Sequence, residues 1–159
     1  MRGLHTGAGA GLMASQWPLI VGRLVALLPT LTGWSNVVVI DGPLISADVP
    51  DDYITVGYVA DDQAGTGNSV QADDGFRRVE TGTVRSQLNC VTGDTDMAGM
   101  RNRVFALYNA IDAAVRADRR LGVLSPEGTS ELEFEVLSLQ NAAGTAQSIV
   151  ITLLYQTVT

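Results

Sequence analysis

One stretch constrains the fold more than any other. Leu88 to Leu124 takes a strand through a tight polar turn and into a helix. Apolar side chains fall at Met97, Met100, Val104, Leu107, Tyr108, Ile111, Ala114 and Val115, the i, i+3, i+4, i+7 spacing of a helix with one buried stripe. Arg101, Asn102, Asn109, Asp112, Arg116 and Arg119 take the opposite face. Asp94, Thr95 and Asp96 offer side-chain oxygens to the free N–H groups of the first turn. Arg116, Arg119 and Arg120 crowd the last turn, where cations suit the dipole. Gly122 stands where a C′ glycine would end it. The spacing predicts a helix over 97–120.

A first helix is expected over 16–28. Ser15 can cap it and Pro18 is tolerated in its first turn. Ile20, Leu24, Leu27, Leu28 and Leu31 form its stripe, and Pro29 and Gly33 end it. Gly22 and Gly99 lie inside helices, where each costs up to ~1 kcal/mol against alanine. A close approach by another element would justify them.

Strands are expected at 36–40 (N-V-V-V-I), 53–59 and 76–92. In the longest, Val84, Ser86, Leu88 and Cys90 share one face while Arg85, Gln87 and Asn89 take the other. Residues 131–139 alternate, with Leu132, Phe134 and Val136 inward and Glu131, Glu133 and Glu135 outward. Residues 147–158 return after the N-A-A-G-T turn as a hairpin. Residues 60–75 are polar, acidic and glycine-rich, and read as an exposed loop with an interaction role. Residues 1–14 are Gly/Ala-rich and read as a flexible arm, expected to be held against a neighbouring subunit. The fold class is therefore α+β. One antiparallel or mixed sheet of about five strands carries two helices on one face, in the order α-β-β-β-α-β-β, as a single domain over 15–159.

Composition narrows the function. The 159-residue chain is 46% hydrophobic and 17% charged, with a formal charge of −7. An acidic chain without a basic cluster is ill suited to gripping nucleic acid. All ten basic residues are arginine. The longest apolar run, Trp17 to Leu31, is broken by Arg23 and Pro29 and falls short of the ~20 residues a membrane span needs. No secretory leader is evident, so the reading is cytosolic origin.

Chemistry-bearing residues are sparse. His5 is the only histidine and lies in the arm, which argues against a histidine triad. Cys90 is the only cysteine, so neither an internal disulfide nor a zinc cluster can be built. Asp94 and Asp96 open a helix and read as caps rather than metal ligands. Neither a cofactor nor a metal is expected, and the chain does not read as an enzyme. The pairs Asp51/Asp52, Asp61/Asp62 and Asp73/Asp74 read as solvated loop charges. The last two pairs, with Arg77, Arg78, Arg101, Arg116 and Arg119, are the candidate partner-interface residues.

From Ser15 to Thr159 the sequence resembles the tail terminator (tail completion) proteins of long non-contractile-tailed bacteriophages, especially those of actinobacterial hosts. The resemblance rests on three segments. They are the first helix running into Trp34–Gly42, the C-V-T-G-D-T-D-M-A-G-M-R-N-R-V stretch at Cys90–Val104 continued to Gly122, and the closing N-A-A-G-T-A-Q-S-I-V-I-T-L-L-Y. Residues 1–12 and 60–75 lie outside it. The resemblance implies a sheet with two helices in a structural virion protein assembled in the host cytoplasm. It implies a homohexameric ring that caps the tail tube, ends its polymerisation and joins it to the head-completion proteins. Implied partners are further copies of the chain, the major tail tube protein and a stopper protein, with DNA passing through unbound and no membrane. Another neck protein, such as a head-closure stopper, is the alternative, followed by a small-ligand binding module.

Overall fold

The computed structural model describes residues 15–60, 67–75, 77–93, 95–141 and 144–159. Helix α1, Trp17–Leu27, continues into a 3-10 turn at Leu28–Thr30. Strands β1 (Val38–Asp41), β2 (Asp52–Val56), β3 (Gly67–Asp74) and β4 (Arg77–Thr92) follow. Helix α2 spans Met97–Ala117, and β5 (Thr129–Asn141) and β6 (Gly144–Val158) close the chain.

The sheet is mixed and six-stranded, in the order β1-β2-β4-β6-β5, with β3 also on β4. Only the β1–β2 pair is parallel. β4 is the central strand. β6 runs along one side of it, while β3 and β2 share the other, taking Arg77–Val84 and Gln87–Cys90 respectively. Both helices pack on one face. Ile20, Leu24 and Leu28 of the first layer and Met100, Val104, Leu107, Ile111 and Val115 of α2 meet Ile54, Val84, Leu88, Ile149, Ile151 and Leu153 of the sheet. Each such side chain contributes roughly 1.5–3 kcal/mol on full burial. Trp34 is buried among them and donates its Nε1–H to the Leu107 carbonyl at 3.2 Å. The α+β class, the two helices and the strand parity of β4 agree with the sequence reading.

Four expectations need correction. First, residues 67–74 of the expected loop are strand β3, paired over eight positions with β4. β3 is an edge strand exposed along most of its length, so the apolar alternation that marks half-buried strands is missing from G-N-S-V-Q-A-D-D. Its turn is the Asp74-Gly75 step, with Gly75 at φ 64°. Residues 61–66 lie outside the described residues, as does the arm 1–14. The strands are therefore six rather than five.

Second, α2 stops at Ala117, with Asp118 as its C-cap, rather than at Arg120. Leu121 adopts φ 54° and is buried, so the chain leaves the helix to place that side chain in the core. Gly122, at φ 70°, belongs to this turn and not to a helix C′ position. Third, Gly22 faces solvent, with no atom within 4 Å of a Cβ built on it. A Cβ on Gly99 would first meet the Asp96 carboxylate, which caps the helix by accepting from Gly99 N–H at 2.9 Å. Neither glycine marks a close approach of elements. Fourth, Phe134 and Val136 point to the helix side yet stay 49% and 40% exposed, because β5 is the outermost strand of the sheet and only part of it is covered by α2.

Candidate functional site

The candidate interface residues fall into separate groups. Asp61 and Asp62 lie outside the described residues. Asp73 and Arg78 face each other across β3–β4, Nε to Oδ1 3.8 Å, in a loose exposed ion pair. Asp74 is opposite Arg77 in the register. Arg77 instead donates through Nη1 to both Glu127 carboxylate oxygens, at 2.9 and 2.7 Å, tying β4 to the turn before β5. Arg116 pairs with Asp112 one helical turn back, at 2.7 Å. Arg119 is exposed beyond the helix end, and its carbonyl accepts from Ser130 Oγ at 2.7 Å. Arg101 is exposed near the start of α2 and, among the described residues, in no ion pair. Asp73, Arg77 and Arg78 thus share one end of the sheet, Arg116 and Arg119 lie at the end of α2, and Arg101 is remote from both.

A buried carboxylate was missed from the sequence. Glu80 is fully buried beneath the start of α1. It accepts from Ser15 Oγ, Ser69 Oγ and Tyr155 OH, each at 2.7 Å, and from the Gln16 N–H at 3.0 Å. Burial alone pushes the carboxyl up, but these hydrogen bonds outweigh it and hold the pKa at about 2. Burial and the bond to Glu80 push the Tyr155 phenol up to about 12. No side chain of α1 caps its own first turn through the N-cap residue. Glu80 supplies that negative charge from the sheet, where the helix dipole favours it. Gly82 makes room: a Cβ there would fall 2.6 Å from Tyr155 OH and 2.5 Å from the Asn68 carbonyl. The signal was parity, since Glu80 shares the inward register of Val84 and Leu88.

An open cleft of about 610 Å³ lies between the exit of α1 and the first half of α2, with Asn36, Asp51, Asp52 and Arg103 on its walls. Asp52, expected as a solvated loop charge, instead opens β2 and forms an ion pair with Arg103, because the strand turns its carboxylate towards α2. Cys90, buried close to both, has its thiol pushed up to about 12, first by burial and then by the Asp52 carboxylate. A thiol so placed is not a nucleophile. The cleft therefore carries a structural ion pair, and the thiol near it is buried and inert. Among the described residues no group of three His, Cys, Asp or Glu side chains is placed to hold a metal. No helix among them is long and apolar enough to cross a membrane.

What the described surface does offer is open strand edges. β1, β3 and β5 each have one edge with no strand beside it among the described residues. Exposed apolar side chains cluster with them: Val38 on β1, Val70 on β3, and Phe134, Val136 and Leu137 on β5.

No protein-family model matches the sequence. No curated protein matches it either. Among solved structures the chain is similar to one in the virion of a native gene transfer agent particle, with a TM-score of 0.47 and 12% identity over 89% of this chain and 91% of that one.

Proposed function

We propose that this chain is a structural protein of a tailed-phage virion, and that it caps the tail tube as a ring and joins the tube to the neck. Carrying this reading is the conjunction of the tail-terminator-like segments, Cys90–Val104 above all, with a two-helix mixed-sheet fold that places them as strand, turn and capped helix. The chemistry of the described surface points the same way. The Glu80 cluster is an internal brace, while the surface carries strand edges and charged side chains, which suit contacts with other chains.

In this role the chain acts as a homohexamer in the virion, between the major tail tube protein and a head-completion protein, and is assembled in the host cytoplasm. It has no enzymatic activity and needs no cofactor. DNA passes an acidic ring without being gripped. Arg101, Arg116 and Arg119 face a neighbouring subunit or ring. Asp73, Asp74, Arg77 and Arg78, where β3 turns into β4, form a second contact region, and Asp61 and Asp62 are further contact residues. Adding the purified chain to polymerising tail-tube protein is the direct biochemical test. Tubes should stop growing and stay short. A length distribution identical to that without the chain contradicts capping.

A further inference from the structure

β5 runs for thirteen residues along the outer edge of the sheet. Long free edges in folded proteins are ordinarily shielded, because their unpaired N–H and C=O groups template another strand. This one instead exposes Phe134 and Val136 on the helix side and Leu137 on the other. Phe134 packs against Tyr108 at 4.8 Å and Phe105 at 5.5 Å between ring centroids, and still leaves 49% of its surface to solvent. One more strand would complete that shelf.

Charge selects the occupant. Glu131, Glu133 and Glu135 stand in a row on the uncovered face, exposed and, among the described residues, in no ion pair. Their neighbours on β6 are Leu154, Thr152 and Val150, which carry no charge. Antiparallel pairing with a second β5, like faces aligned, sets this row against itself, which is destabilising. Turning the second copy over sets the glutamates beside Phe134 and Val136. The chain's other open edges serve no better. β3 ends in Asp73-Asp74, and β1 is four residues ending in Asp41.

We infer that β5 receives an extended segment of a different protein, one with basic residues at alternate positions beside the glutamates and apolar residues between them against Phe134 and Val136. The mode is strand addition: main-chain hydrogen bonds supply affinity and alternation supplies specificity. The inference rests on the reading of the chain as an assembly component and adds the chemistry of one partner.

Two synthetic peptides of about nine residues test it, one alternating lysine with valine and the other glutamate with valine. Titrated at low salt against the whole chain, the lysine peptide should bind at least about tenfold tighter. It should also protect backbone amides of β5 from hydrogen exchange. The triple variant Glu131→Lys/Glu133→Lys/Glu135→Lys changes only the solvent face and should invert the preference. Equal binding of both peptides, binding of neither, protection outside β5, or an unchanged preference in the triple variant overturns the inference. So does β5 protection that grows with protein concentration in the absence of peptide, which would mark a β5-mediated dimer. None of these readouts depends on tube length, so the capping role and the partner chemistry fail separately.

Discussion

The Glu80 carboxylate accepts from Ser15, Gln16, Ser69 and Tyr155, and so ties three elements to the start of α1. Its folded pKa, about 2, lies below the ordinary 4.5. The stability it contributes is therefore fully present above pH 4.5 and is lost as pH falls towards 2. The loss is on the order of a few kcal/mol. Glu80→Gln should destabilise the protein at neutral pH by roughly 1–3 kcal/mol, because donors are left facing an amide. It should also flatten the fall in unfolding free energy across that acid window. Urea titrations from pH 7 to pH 2.5 read both effects, and identical acid slopes in the two proteins would contradict the assignment. Cys90 gives a second check at this scale. It should resist a thiol reagent in the native state and react fully once unfolded, in keeping with its raised pKa and complete burial.

The caps decide how the helices fare. Asp96→Ala should cost about 1 kcal/mol, since it removes the acceptor for Gly99 N–H. Gly22→Ala should do the opposite, stabilising by roughly 0.5–1 kcal/mol, because the site is open and helical. Thermal unfolding measures both. A destabilised Gly22→Ala protein would show that the exposed face of α1 is packed after all. α2 was legible in the sequence because stripe, cap and charges coincide within one segment. The inward face of β4 was legible because Val84, Leu88 and Cys90 alternate cleanly. β3 was not, since an edge strand exposed along most of its length needs no apolar pattern, and only Asp74-Gly75 marked its hairpin. The end of α2 was misread because burial of Leu121, a tertiary demand, overrode a well-placed glycine. The Arg77–Glu127 tie joins residues fifty positions apart, and no local pattern announces such a pair.

Across the whole molecule, polarity is sorted by depth. The buried Glu80 cluster and the partly exposed Asp52–Arg103 pair brace the fold, while the surface presents strand edges and charged side chains. Asp73, Arg77, Arg101, Arg116 and Arg119 were legible as surface charges, but the pairing within the chain was not, because Arg77, Arg78 and Arg116 prove to have partners there. The capping role is tested most directly by electron microscopy of phage particles assembled without this chain. Filled heads should accumulate beside unattached tails whose lengths are no longer uniform. Normal tails of uniform length joined to heads would contradict a role in ending and attaching the tube.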